Sequence, residues 1–346
     1  MPRHPQRVAQ AGFSLIELMI AMVITLIVTG SIYGLIAQGG NAFRRDPEIT
    51  DRQQALRIAL DLLTRDLDIA GMRMGAGTQA FTNNLDAVGP LNQDGVETDF
   101  IEILGDNGSC PDVYINPAQP STGSNINTVS PIPDCYPEPT LVFIIFDDGA
   151  TKWGAGHKIH AADQKLNFPP GQQPTTSQVQ GVCDLNNSDA GCTQAATPLY
   201  VALLTFVRWE IADDTDGIPS LYRATSAGID LSSGAVSSPP GAGWSLVARG
   251  IEDLQVQYFR ESDATDNNQS LDWFDTPGVV DATGSNLDTL VRQVRVTLQA
   301  RTVSTNLQGS TAAAAGDNAI RGSMTTVVAP RAAHFYLATV GDMPWR

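Results

Sequence analysis

The sequence is short of basic residues. Lys and Arg number 21 against 37 Asp and Glu, so the formal charge is −16 with His neutral. A chain this acidic lacks the positive field that phosphate binding needs, which argues against nucleic acid as its main partner. Catalytic signatures are missing too: there is no GxSxG, no P-loop and no kinase motif set. Histidine is scarce. His157-Lys-Ile-His160 could bring two imidazoles together, but no Cys or carboxylate cluster completes a metal site around them. The four cysteines, Cys110, Cys135, Cys183 and Cys192, form no CxxC pair. What is present is enough apolar material for a sizeable core: 42% of the 346 residues are hydrophobic. With 31 Gly and 21 Pro, many loops are expected as well.

One long hydrophobic run stands out, from Phe13 to about Ala37. As a helix it would span about 38 Å at 1.5 Å per residue, enough for a hydrocarbon core of about 30 Å. A short polar leader precedes it, carrying Arg3 and Arg7. An ordinary secretory signal puts its small-residue cleavage site after the apolar stretch. Here the small residue, Gly12, comes before it. Cleavage there would leave the helix on the mature protein. A single charge, Glu17, interrupts the run. An ionised group in a membrane helix costs a few kcal/mol, so it marks a functional position. A free amine on Phe13 would lie one helical turn from this carboxylate, or could meet that of a neighbouring chain.

The motif Gly12-Phe13-Ser14-Leu15-Ile16-Glu17 resembles the class III prepilin signature shared by type IV pilins and type II secretion pseudopilins. The resemblance implies cleavage between Gly12 and Phe13 by a prepilin peptidase, N-methylation of Phe13, and a role for Glu17 in aligning an incoming subunit. It also implies a single-pass inner-membrane protein that passes to a cell-surface filament. The positive residues on the two sides of the span nearly balance, Arg3 and Arg7 against Arg44 and Arg45, so orientation rests on that resemblance, the acidity and the cysteines. Four cysteines allow three pairings. Cys110–Cys135 and Cys183–Cys192 are favoured, since each closes a short loop.

Beyond the span, Leu56, Ala59, Leu60, Leu63, Leu67 and Ala70 recur at helical spacing. They predict an amphipathic helix over 49–70, stopped by Gly71. Gly39, Gly40 and Pro47 predict a kink or local melting within 38–48, a hinge for packing into a filament. Downstream the helical period disappears. Strands are expected at 99–104, 140–147, 202–212, 219–225, 253–260 and 290–303, with 213–217 as a hairpin turn. The apolar faces of 142–146 mark that strand as central. The fold class that follows is α+β, a long N-terminal helix packed on an antiparallel sheet with long loops at 106–139, 161–198, 228–243 and 304–323. The expected division is a leader over 1–12, an assembly helix over 13–37, a hinge and amphipathic helix over 38–74, and a β-rich periplasmic or extracellular domain over 75–346.

Residues 54–73 and the stretches 249–259 and 291–301 resemble PilW-type minor pilins and the related J-type pseudopilins. That resemblance implies a low-abundance subunit that primes pilus assembly near the tip. Its partners would be the prepilin peptidase, other major and minor pilins, the inner-membrane assembly platform and, before assembly, lipid. A J-type pseudopilin and a pilin-anchored adhesin or ligand-binding module are the alternatives, and an enzyme is least favoured. No cofactor is required. Asp184, Asn186, Asn187 and Asp189 could offer oxygen ligands to calcium. In the second acidic loop, Asp213, Asp214 and Asp216 miss the EF-hand pattern, because Ala212 and Arg223 stand at the first and last ligand positions.

Overall fold

The structure is a computed structural model. It describes residues 14–72, 80–82, 98–106, 108–118, 121–122, 125–136, 140–146, 151–158, 164–167, 198–225, 229–230, 235–236, 238–261, 271–277, 291–305, 307, 311–312 and 318–331. One helix, α1 (Leu15–Asp68, 54 residues), leads into antiparallel sheets.

The C-terminal third of α1 docks as its period predicts. Leu56, Ala59, Leu60, Leu63, Leu67 and Ala70 are all buried, while Arg57, Asp61 and Arg65 face solvent. Burying the four leucines contributes about 1.5–3 kcal/mol each as an upper bound. That outweighs the tenths of a kcal/mol by which propensity differs among ordinary residues, so packing holds this part of the helix. The end is abrupt. Ile69 caps the helix, Gly71 turns with φ 70°, and the Gly71 N–H donates to Leu104 O at 2.8 Å. Gly105 lies directly against the Ile69 carbonyl, where any Cβ would collide.

The expected melting within 38–48 is absent: α1 runs helical through Gly39, Gly40 and Pro47. Proline removes one N–H from the ladder, but extending an existing helix is far easier than nucleating one. The helix is also held just past the proline. Ser304 donates to Glu48 through its backbone N–H (3.3 Å) and its hydroxyl. Four residues on, the Arg52 guanidinium packs onto Gly322, where a Cβ would meet its atoms at 3.0 Å.

Three main sheets follow among the described residues, where the sequence led us to expect one. The first has the order Phe81–Thr82, Ile101–Gly105, Thr205–Asp213, Pro219–Thr225, Trp244–Arg249. The second runs Leu271–Phe274, Ile251–Glu261, Gln293–Arg301, Arg321–Val328. Both bury their inner faces with α1 in one core that includes Ile101, Val207, Trp209, Leu254 and Val296. The third sheet has seven strands with Thr140–Phe146 inside it, between Pro198–Leu203 and Thr151–Lys158. Val142 and Ile144 enter one cluster, whereas Leu141, Phe143 and Ile145 enter another. Both faces of that strand are therefore covered, as its unbroken apolar run requires.

The single strand expected over 202–212 is two. Pro198–Leu203 belongs to the third sheet and Thr205–Asp213 to the first, with the Leu204 N–H turned to Leu141 O (3.0 Å) between them. Thr151–Lys158, which carries His157, is a strand rather than a loop. Two glycines dilute its own pattern, and its register comes from pairing with Thr140–Phe146. Trp244–Arg249 and Arg321–Val328 are also strands that the sequence pattern did not mark.

Candidate functional site

At the start of α1, Ser14 occupies the N-cap and Glu17 the third helical position. The Glu17 N–H donates to Ser14 Oγ at 3.3 Å, and the Ser14 N–H donates to Glu17 Oε2 at 3.2 Å. This is a capping box, two otherwise orphaned N–H groups satisfied by two side chains. Sequence reasoning missed it, although Ser-Leu-Ile-Glu carries the S-x-x-E signature. The box gives Glu17 a structural task inside one chain. One carboxylate oxygen is engaged at the helix terminus, where the helix dipole favours negative charge. Gly12 and Phe13 lie outside the described residues.

From Leu15 to Ile36, 22 residues, α1 is long and apolar enough to cross a membrane, and none of it is buried against the rest of the chain. Three of its hydroxyls are satisfied within the helix. Thr25 Oγ1 donates to Ala21 O at 2.7 Å, Thr29 Oγ1 to Thr25 O at 2.7 Å, and Ser31 Oγ to Ile27 O at 2.8 Å. Each bond removes a donor that hydrocarbon could not satisfy. The surface of this segment is apolar: Leu15, Leu26 and Tyr33 are 79%, 72% and 75% exposed. So large a contiguous apolar surface demands a lipid or protein partner.

A second constellation ties the helix to the first sheet. Asp66, buried on the docked face, accepts from Trp209 Nε1 (2.9 Å) and Arg223 Nε (2.7 Å) through Oδ2, and from Arg223 Nη2 (2.9 Å) through Oδ1. The fork of Arg223 thus grips both oxygens. The sequence held a sign of it, since Asp66 falls on the stripe of Leu63, Leu67 and Ala70. Farther along the same sheet, Arg208 lies between Glu102 (3.0 Å) and Glu210 (2.7 Å) and over the Phe100 ring. Burial pushes the Glu210 carboxyl above its usual value, against the opposing pull of Arg208.

The hairpin turn expected at 213–217 is there, joining Thr205–Asp213 to Pro219–Thr225. Its acids are engaged by protein. Asp214 Oδ1 accepts from the N–H groups of Asp216 (2.8 Å) and Ile218 (3.0 Å). Arg249 bridges Asp214 Oδ2 (2.7 Å) and Asp216 Oδ2 (2.6 Å). Desolvation raises the Asp214 carboxyl, but these backbone and Arg249 bonds outweigh it, and the net direction is downward. Asp184, Asn186, Asn187 and Asp189 lie outside the described residues, as do His160, Cys183 and Cys192. Cys110 and Cys135 are joined in a disulfide, Cα–Cα 5.8 Å, beneath the third sheet.

Comparison with known families gives a match at the N-terminus. The prokaryotic N-terminal methylation motif covers residues 7–33, which include Gly12, Phe13, the capping box and most of the exposed apolar helix. The N-terminus is thus similar to that of type IV pilin-like proteins. Comparison with curated proteins and with solved structures found no match. The pilin-like signal implies a membrane-anchored protein, processing by a prepilin peptidase and assembly with other pilins. The motif points to the class that includes pilins and pseudopilins.

Proposed function

We propose that this pilin-like chain is a minor subunit of a type IV pilus, of the PilW kind, that helps to prime assembly near the filament tip. The observation that carries the filament reading is the contrast along α1. Its first 22 helical residues are apolar and unburied, whereas the stripe from Leu56 to Ala70 is fully docked. A helix that serves only its own domain has no use for the first part. Lipid covers it before assembly, and the helices of neighbouring subunits cover it afterwards. The peptidase cuts after Gly12, the new Phe13 amine is methylated, and Glu17 meets the Phe13 amine of a neighbour. The cysteines and the acidic domain then lie on the periplasmic side of the inner membrane. The PilW assignment rests on the likeness of residues 54–73, 249–259 and 291–301.

Mass spectrometry of the N-terminus from native membranes tests this reading. The expected mature start is methylated Phe13. A protein that starts at Met1, or is cut beyond the apolar run, is a plain anchor or a secreted protein, and the proposal is then wrong. For the finer assignment, the expected result is that deleting the gene reduces surface pili and leaves type II secretion intact. The reverse pattern makes the chain a J-type pseudopilin.

A further inference from the structure

We propose that the outer edge of the strand Arg321–Val328 pairs, backbone to backbone, with an extended segment of a different subunit. The chemistry of the partner follows from the edge itself, and its identity as a fellow subunit rests on the filament reading. Arg321–Val328 ends the four-stranded sheet, and among the described residues it pairs with Gln293–Arg301 alone. A bare edge is a template for another strand, so proteins blunt their edges with short strands, bulges, charges or proline. The other described ends of the three main sheets follow that rule. Phe81–Thr82, Val113–Tyr114 and Ser121–Thr122 have two residues each, and Leu271–Phe274 has four, one of them Asp272. Trp244–Arg249 is bulged between Leu246 and Ala248. Arg321–Val328 departs from the rule after its first residue. From Gly322 to Val328 it carries no charge and no proline, and its register with Gln293–Arg301 never shifts.

The register identifies the open groups. Leu254 and Val256 turn their N–H groups away from Gln293–Arg301, to Thr98 Oγ1 (2.9 Å) and Asp99 Oδ2 (2.8 Å). Strand alternation then points Asp253, Gln255 and Gln257 at Gln293–Arg301, where they stand opposite Gln299, Thr297 and Arg295. Arg301 keeps the same phase, since its N–H donates to Gly250 O at 2.7 Å. The even-numbered residues Val294, Val296, Leu298 and Ala300 are left to bond the last strand, opposite Val328, Thr326, Met324 and Gly322. Ser323, Thr325 and Val327 therefore direct their N–H and C=O groups outward from the sheet. All three residues are exposed, and no described residue bonds to those backbone groups.

The occupant must supply donors and acceptors that alternate at strand spacing, which an extended polypeptide does. Nothing charged stands between Gly322 and Val328 to select a charged segment, and Val327, 50% exposed, offers apolar cover to an uncharged one. The direction of the strand decides between a second copy and another chain. Gly322 lies against Arg52, and Arg331, just past the strand, reaches Asp68 at 3.9 Å, so the strand and α1 run the same way. A second copy paired antiparallel across this edge is related by a two-fold axis that reverses its α1 as well. Two helices so opposed cannot enter one membrane from the same side or lie parallel in one filament. A strand from a different subunit has no such constraint. It lies along the flank of α1, where the filament reading places a neighbour.

The test reads hydrogen exchange at single amides of the full chain in detergent micelles. The amides of Ser323, Thr325 and Val327 should exchange fast, and those of Met324 and Thr326 slowly. The probe is the peptide Lys-Thr-Val-Thr-Val-Thr-Val-Thr-Lys, which should protect the three fast amides. A copy N-methylated at alternate residues should not. Thr325→Pro deletes one outward donor without breaking a bond to Gln293–Arg301. It should lose the peptide while melting with Thr325→Val, which keeps the N–H and should bind as wild type. In cells, Thr325→Pro should still start at Phe13 but be lost from sheared filaments, and Thr325→Val should be retained. The proposal is overturned if the three amides are slow in the wild type alone, because the chain then covers its own edge. It is overturned too if the peptide gives no protection, if the N-methylated copy protects equally, or if sedimentation shows a self-association that Thr325→Pro abolishes. The two failures are distinguishable. A wild-type chain that starts at Met1 sinks the filament reading and with it the identity of the partner, whereas a processed Thr325→Pro chain that enters filaments like wild type sinks the edge alone.

Discussion

Replacing Asp66 with alanine should loosen the joint between α1 and the sheets by about 2–4 kcal/mol. The estimate follows from what the substitution strands. Trp209 Nε1 is buried and loses its partner at 2.9 Å. An orphaned buried donor costs about 1–3 kcal/mol. Arg223 loses both bonds of its fork. Breaking a fully buried ion pair costs about 3–5 kcal/mol. The Arg223 side chain is 29% exposed, however, so water recovers most of that loss and leaves about 1 kcal/mol to add to the orphaned donor. Asp66→Asn should cost less. Its carbonyl can stay on Trp209 and Arg223 Nε, but its NH₂ then faces Nη2, donor against donor.

The assay is urea unfolding of the full chain in micelles, followed by tryptophan fluorescence. Trp209 sits at the joint and reports its opening, although four other tryptophans add to the signal. A double-mutant cycle with Arg223→Ala isolates the pair, and the double variant should be less destabilised than the sum of the singles. An Asp66→Ala chain within about 0.5 kcal/mol of wild type refutes the reasoning. So does strict additivity in the cycle.

Three further outcomes are expected. Glu17→Ala should leave cleavage intact but impair incorporation, read by comparing mature protein in membranes with protein in sheared filaments; normal incorporation counts against a Glu17 pairing. Reducing the Cys110–Cys135 link, whose residues are 25 apart in sequence, should destabilise the third sheet by about 3 kcal/mol, measured by denaturation with and without reductant. Burial raises the Glu210 carboxyl above its ordinary 4.5, so its ionisation opposes folding. Its contribution is most favourable below that value and declines as pH rises through the folded value. Glu210→Gln should remove this acid-range slope, and an unchanged slope in denaturation series between pH 4 and 7 sinks the assignment.

The parts of the fold legible in the sequence are those where one local period settles the answer. The stripe from Leu56 to Ala70 reads as one helix face, and 290–303 alternates cleanly, so the docked helix and the strand Gln293–Arg301 follow without tertiary knowledge. Residues 198–213 show the limit. Their apolar pattern is continuous, and the break at Leu204 exists because two different sheets claim the two halves. Thr151–Lys158 is extended because Thr140–Phe146 pairs with it. The same holds at the functional end. Glu17 announces itself as a lone charge, whereas its capping partnership with Ser14 needs the helix start to be placed first. Asp66 was hidden for the opposite reason. A polar side chain breaks the apolar pattern of the stripe, although the helix geometry places it on that face.

The two anchored charges, Glu17 and Asp66, sit near opposite ends of one helix that meets two different environments. Between Leu15 and Ile36 the hydroxyls of Thr25, Thr29 and Ser31 bond back to the helix itself, so the segment can leave lipid for a protein bundle without stranding those donors. From Glu48 onward, hydrogen bonds to Ser304, the contact with Gly322 and the Asp66 fork fix the helix to its own sheets. Apolar burial alone would permit sliding along the stripe. The fork and the Trp209 bond do not, because a shift of one residue turns Asp66 by about 100° away from both partners. The free segment is thereby held in a set register relative to the domain, and that register decides where the domain stands whenever the free helix is packed among others.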